Sequence, residues 1–247
     1  MEIAAAAYAR NRVLAGLSGA DLEFVAPHLR PRALARDEEL CAGGALIETI
    51  YFPFSGLVSL IAPLSSGHEV EVGVIGRDGM FGALAYPGAR SLPARASGQI
   101  AGNGVEIAPE RFWEACSRSV TLRATAARAA QAQVAAMAQT AACNSAHEVG
   151  QRLARWLLIA RDAAASDDLS LTHALLAIMI GAQRPTVTLA ARRLQDARII
   201  DYRRGRIHLN DLAALEAHAC ECYRAVRNEM ERLLGAGEAG GVGVAAG

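Results

Sequence analysis

Lysine is absent from this 247-residue chain, so all 25 basic side chains are arginine, balanced by 25 carboxylates to a formal net charge of zero. Arginine keeps its charge and presents a planar fork of donors suited to phosphate and guanine edges. Cysteine is sparse: the five, Cys41, Cys116, Cys143, Cys220 and Cys222, are scattered and odd in number, which argues against a disulfide framework. Long apolar runs are missing as well. Ala174–Ile180 falls far short of the roughly 20 residues that a membrane span needs. The opening MEIAAAAYARNR has an acidic second residue and an alanine run broken by Tyr8; it fits no secretory signal, and the expected location is the cytoplasm. No repeat with a period of roughly 20 to 50 residues occurs, so a solenoid is not expected.

What is present suffices for two domains, since 52% of the residues are hydrophobic and the mean hydropathy is +0.18. The most informative stretch runs from Leu171 to Asp211, where two short helices joined by a glycine turn precede a basic hairpin. Ala177 sits where two helices must approach closely, Gly181 can take a positive φ at the turn, and Val187 closes the small core. This Ala-x3-Gly-x5-Val spacing is that of a helix-turn-helix. Between Gln183 and Arg206 lie seven arginines (Arg184, Arg192, Arg193, Arg198, Arg203, Arg204, Arg206) against Asp196 and Asp201, a local balance of +5. A basic stripe on a neutral chain predicts a phosphate-binding face, and double-stranded DNA is the expected partner.

The remaining chain reads in order. Residues 4–28 predict two short helices, the second capped by Ser18 with Asp21 in its first turn. From about Leu29 to Ile107 short β-rich runs alternate with turn residues, including Glu69 to Val74, which indicates a barrel or jelly roll. Ser119 then caps a long helix in which 11 of the 19 residues from Ala124 to Ala142 are alanine. Along it Leu122, Ala126, Ala129, Gln133, Ala136, Thr140 and Cys143 recur in alternating steps of four and three, the coiled-coil spacing, and predict a dimerisation seam. A further helix follows from Glu148, and Asn210-Asp211 starts a last one, expected to continue unbroken to Gly235. The tail from Gly235 is rich in Gly and Ala and is expected to be disordered.

The fold class expected is α+β: an N-terminal double-stranded β-roll (jelly roll) with flanking helices, a long dimerisation helix and a C-terminal winged helix-turn-helix. The boundaries predicted are 1–118, 119–147, 148–234 and a tail at 235–247. No catalytic residue is assigned: the strand region offers only His68 with Glu69 and Glu71, read as a solvent turn, too little for a jelly-roll enzyme. No metal site is assigned either. His218-x-Cys220-x-Cys222 has metal-like residue types, but on one helix Cys220 would point away from the other two. A small-molecule binding module without a DNA role is the competing reading.

This order of parts resembles the Crp/Fnr superfamily of bacterial transcription regulators. The block Val72-Gly-Val-Ile-Gly-Arg-Asp-Gly-Met-Phe-Gly82 is similar to the glycine-rich turn of that family's cyclic-nucleotide-binding β-roll, and Leu171–Ile200 to its DNA-binding unit. The resemblance implies a homodimeric regulator, cytoplasmic, on an inverted-repeat operator, with RNA polymerase as a further partner. It implies that the second helix enters the major groove, with Arg184 reading guanine and Gln183 beside it. Pro185 and Leu189 replace the family's usual acid and arginine, so no operator sequence carries over. Thr186, Thr188, Arg192, Arg193, Thr172, His173 and the wing residues Arg203, Arg204 and Arg206 are assigned to phosphate or sugar.

For an effector the resemblance points to Gly79, Met80, Gly82, Arg90, Ser91 and, on the long helix, Met137. Met80 stands where cyclic-AMP-binding relatives carry a ribose-binding glutamate, and Met137-Ala138 where they carry an adenine-contacting Thr-Ser pair. The cofactor is therefore left unassigned: a cyclic nucleotide fits the pattern poorly, Cys41 alone gives no iron-sulfur pattern, and a pocket without any effector is a further alternative.

Overall fold

The computed structural model describes residues 5–85 and 90–235. Helices α1 (Ala5–Tyr8) and α2 (Arg12–Ala15) replace the single first helix expected from sequence. Asn11 makes the break. Its carboxamide oxygen accepts from the N–H groups of Val13 and Leu14 at 3.0 and 3.2 Å, and its amide donates to the carbonyls of Pro53 and Gly79 at 3.0 and 2.9 Å. A fully buried side chain thus starts one helix and ties it to two loops of the β-roll. Asn11→Ala would leave these groups unpaired, and we expect it to lower unfolding free energy by about 2–4 kcal/mol in urea titrations.

Helix α3 (Gly19–Val25) is capped by Ser18 as expected. Seven strands follow: β1 (Arg30–Leu34), β2 (Glu39–Cys41), β3 (Ile50–Pro53), β4 (Leu57–Pro63), β5 (Glu69–Ile75), β6 (Arg95–Ile100) and β7 (Gly102–Ile107). They form two antiparallel sheets, ordered β1-β7-β3 and β2-β6-β4-β5. Tyr51, Val58, Leu60, Ile75 and Phe81 fill the roll from within. In β5 the fully buried residues are Glu71, Gly73 and Ile75, while Val70, Val72 and Val74 are half-buried.

Helix α4 (Pro109–Arg118) leads into α5 (Val120–Ala146), whose first turn is capped by the Ser119 hydroxyl, 3.1 Å from the Leu122 N–H. Asp21 of α3 accepts hydrogen bonds from Ser119 and Thr121; although burial opposes its charge, these hydroxyls hold its pKa below the usual carboxylate range. Helix α6 (Val149–Ala164) opens the C-terminal unit on a Glu148–Gln151 capping box. Then come β8 (Asp168–Ser170), α7 (His173–Met179), α8 (Arg184–Asp196), β9 (Ile200–Arg203), β10 (Arg206–Leu209), α9 (Leu212–His218) and α10 (Cys222–Leu234). Leu153, Trp156, Leu157, Leu176, Val187, Leu194 and Ile207 share one core, which Leu57 and Ile61 of β4 join, so the C-terminal unit packs directly on the roll. The chain beyond Gly235, where a disordered tail is expected, lies outside the described residues.

Two expectations are corrected. The last helix is broken: α9 ends at His218 and α10 begins at Cys222, after which α10 runs back along α5 and brings Leu233 and Leu234 into the N-terminal core that holds Val13 and Leu14. The seam on α5 faces inward. Leu122, Ala126 and Ala129 lie in that same core, Gln133, Ala136 and Cys143 are buried as well, and Thr140 is half-buried. The opposite face of α5 carries Val120, Ala124, Ala127, Gln131, Val134, Ala138, Ala141 and Ser145, all but half-buried Ala124 exposed, again in steps of four and three and without a charge. An alanine-rich helix is small and nearly apolar all round, so its periodicity alone cannot say which side the chain covers itself.

Candidate nucleic-acid interface

The three spaced residues build the turn between α7 and α8. The two helices meet at a 105° bend, inside the range of helix-turn-helix units. Gly181 takes φ +57°, the Ala182 N–H donates to the Ala177 carbonyl at 3.0 Å, and Val187 is fully buried beneath the turn. Thr172 caps α7, its hydroxyl accepting from the Leu175 N–H at 3.2 Å. Pro185 sits in the first turn of α8, where no amide partner is required. Strands β9 and β10 form the wing. They are joined by Arg204 and Gly205 at φ +47° and +79°, the pair of positive values that a tight two-residue hairpin needs.

The charge of this face is uncommitted. Arg184, Arg192, Arg193, Arg198, Arg203, Arg204 and Arg206 are all exposed, and none lies within ion-pair distance of a carboxylate among the described residues. Elsewhere among the described residues half of the arginines are in ion pairs, including Arg32 with Glu38 and Glu106, Arg95 with Glu69, Arg161 with Asp167, and Arg232 with Glu229, but only this stretch gathers seven without one on a single face. Gln183 and Thr186 are exposed at the N-terminus of α8. Leu189, singled out from sequence only as a departure, is 52% exposed on the same helix.

His173 and Thr188 are used differently from the phosphate contacts expected of them. The Thr188 hydroxyl donates to the Arg184 carbonyl at 3.0 Å and lies 2.9 Å from His173 Nδ1, while the imidazole stacks on Tyr202 with ring centres 4.2 Å apart. Burial, and then the Arg184 charge, lower the His173 pKa. The pair joins α7, α8 and the wing to one another.

The residues expected to hold an effector do not converge. Met80 is buried beside the N-terminal helices, whereas Met137 packs on the roll core, close over Gly73. Gly79 and Phe81 donate their N–H groups to the carbonyls of Gly76 and Tyr51, and Gly82 at φ +90° is closed in by Ile50. Arg90 and Ser91 are exposed, and Arg90 pairs with Glu110 at the start of α4 instead of reaching into the roll. Among the described residues, then, the Arg90 charge pairs with a neighbouring helix and two of the turn amides pair with backbone.

Glu71 is corrected too. It lies in no solvent turn: it is 3% exposed, at the contact between the roll and the C-terminal unit, whereas His68 is exposed. Trp156 Nε1 of α6 donates to one carboxyl oxygen at 2.8 Å, Ser59 bonds the other, and the Ser59 hydroxyl lies 3.6 Å from Met179 Sδ of α7. Burial pushes this carboxyl up to about 8, against the hydrogen bonds of Ser59 and Trp156 and the charge of Arg155. A neutral carboxyl suits the geometry, since its own O–H can donate to Ser59 and free the hydroxyl proton for Met179.

The cysteines also depart from the expected pattern. His218 is exposed and turned onto the Ala214 carbonyl, while Cys220 and Cys222 turn toward Cys143 and His147 at the end of α5. The assignment of no metal rested on one continuous helix, and the break at Ala219–Glu221 removes that basis.

Residues 151–218 match the model of the Crp-like helix-turn-helix domain. The fold is similar to that of FixK2 from Bradyrhizobium japonicum, at 16% identity and a TM-score of 0.66 over 78% of this chain and 98% of that one. A CRP-family transcriptional regulator from Thermus thermophilus is similar at 24% identity and a TM-score of 0.63, over 76% and 96% of the two chains. The c-di-GMP-responsive global regulator CLP of Xanthomonas campestris is similar at 18% identity and 0.61, over 78% and 100%. No curated protein sequence matches the chain. No single helix among the described residues is long and apolar enough to cross a membrane.

Proposed function

We propose that this chain, which has the Crp/Fnr fold and carries a Crp-like helix-turn-helix domain, is a DNA-binding transcription regulator acting as a homodimer on an inverted-repeat operator. What carries the reading is the row of seven exposed arginines without carboxylate partners on α8 and the wing. A dense row of exposed cations on one face of a neutral protein is the electrostatic footprint of a polyanionic partner, and a helix with a 105° predecessor and a flanking wing fits duplex DNA.

In this proposal α8 enters the major groove. Arg184, in its first turn, forks onto guanine O6 and N7, and Leu189 offers an apolar surface to a thymine methyl. Gln183, Thr186, Arg192 and Arg193 line the same groove edge, while Thr172, Arg203, Arg204 and Arg206 hold phosphates. The two-fold partner docks along the exposed seam of α5 centred on Val134 in place of the inward seam, setting two recognition helices about one helical turn of DNA apart. The bound dimer would admit or block RNA polymerase, and its place of action is the cytoplasm. Tyr51 Oη, Gln99 Nε2 and Gln133 Nε2 are buried polar atoms without a protein partner, and ordered water or a small polar effector reaching them would satisfy them.

Binding to duplex DNA, measured by fluorescence anisotropy between roughly 50 and 200 mM salt, tests the reading. Affinity should fall steeply with salt, and Arg203→Ala or Arg204→Ala should weaken all sequences alike while lowering the log–log salt slope by about 1. Arg184→Ala should cost about 1–3 kcal/mol on the preferred sequence and flatten the preference. Salt-independent binding, or none, would sink the proposal.

A further inference from the structure

Four potential ligand atoms meet where the long helix ends. Cys143 and His147, one turn apart on α5 and at its C-cap, face Cys220 and Cys222 at the α9–α10 junction, and one ligand atom from each lies within 4.8 Å of every other. Cys143 Sγ is 3.5 Å from Cys220 Sγ, and Cys222 Sγ is 3.5 Å from His147 Nδ1. The three sulfurs are buried and the imidazole is partly so.

These spacings correspond to a tetrahedral site. With metal–sulfur bonds of about 2.3 Å and a metal–nitrogen bond of about 2.0–2.1 Å, the tetrahedral edges are about 3.8 Å between sulfurs and about 3.6 Å between sulfur and nitrogen. The surroundings fit as well. His147 turns Nδ1 inward while its Nε2 lies 3.1 Å from the Glu221 carboxylate, the outer contact that orients a metal-binding imidazole. Gln139 Nε2 donates to Cys222 Sγ at 3.0 Å. Three thiolates around a divalent ion leave one negative charge, and buried Arg155 of α6 lies close enough to act on Cys143.

We infer that Cys143, His147, Cys220 and Cys222 form a structural site for a thiophilic divalent ion of the zinc class. Three thiolates and one imidazole select such an ion over calcium or magnesium, and four protein ligands leave no open position for catalysis. The ion would pin the start of α10 to the end of α5, beside the His147-Glu148 joint from which the C-terminal unit departs. The inference does not depend on DNA binding.

The test uses the full-length chain, purified under reductant, with Zn2+ content measured and Co2+ as the spectroscopic probe. We expect one ion per chain, the intense visible bands and thiolate-to-cobalt charge transfer of tetrahedral Co2+, their loss on adding Zn2+, and a higher melting temperature with Zn2+. Cys143→Ser, Cys220→Ser and Cys222→Ser should each abolish the bands, while Cys41→Ser should keep them. Glu221→Gln alters an exposed side chain that carries no ligand atom, so the fold is retained; it should weaken Zn2+ affinity about 10–100-fold. Absence of tetrahedral Co2+ bands in the reduced wild-type chain would overturn the inference, as would bands that persist in Cys220→Ser. A Cys143–Cys220 disulfide formed in air by a chain that takes up no metal when reduced would overturn it equally.

Discussion

Val134→Glu should convert the proposed dimer to a monomer and reduce operator affinity by about 10²–10⁴-fold, the advantage lost when two linked half-site contacts become one. Val134 is 54% exposed at the middle of an uncharged seam on a helix about 40 Å long. Around a two-fold axis each glutamate would meet its own copy, placing like charges in a contact made of alanine-sized side chains that leaves little room for water. The monomer's own core does not need Val134, so its melting temperature should hardly change. Ala129→Glu provides the contrast: Ala129 is 2% exposed against the N-terminal core, and the same charge there should unfold the chain instead of dissociating it. Sedimentation velocity separates the outcomes, and a Val134→Glu chain that still sediments as a dimer would exclude the exposed seam as the interface.

Glu71→Gln should stabilise the protein by about 3 kcal/mol at pH 7, with the gain growing as pH rises toward 8. Glu71 has a folded pKa of about 8 against 4.5 when unfolded, chiefly because burial disfavours the charge. Between those values the folded chain binds the proton that the unfolded chain releases, so stability falls as pH rises. The penalty is absent below about pH 4.5, accumulates through the window and is complete above about 8. Glutamine has no proton to lose; its amide oxygen can accept from Trp156 and its NH2 donate to Ser59. Urea unfolding at pH 5, 7 and 9 should give a wild-type stability that declines with pH more steeply than the variant's. Equal slopes in the two chains would show that Glu71 does not carry the dependence.

The same two side chains show where sequence reasoning reached its end. In sequence Glu71 reads as part of a solvent turn with His68 and Glu69, because neighbours along the chain do not say which surface another part of the fold will cover. The packing of α6 and α7 on β4 and β5 covers it, and those contacts join residues such as Glu71 and Trp156 that are far apart in the chain. On α5 the heptad spacing was real but doubled, one seam lying inside and one outside, since alanine satisfies both.

Local chemistry, by contrast, was determinate from sequence. Ser18 and Ser119 cap helices because a hydroxyl before an apolar run satisfies an orphan N–H, and Gly181 turns between α7 and α8 because glycine tolerates the positive φ there. The order of roll, long helix and winged helix-turn-helix, and the basic stripe, follow from period and charge along short stretches. Tertiary structure alone decided which face of α5 is free, that Arg90 pairs with Glu110, that Glu71 is sealed in, and that Cys143 and His147 meet Cys220 and Cys222. Each depends on chain segments distant in sequence packing together, and residue spacing along the chain carries no record of such meetings.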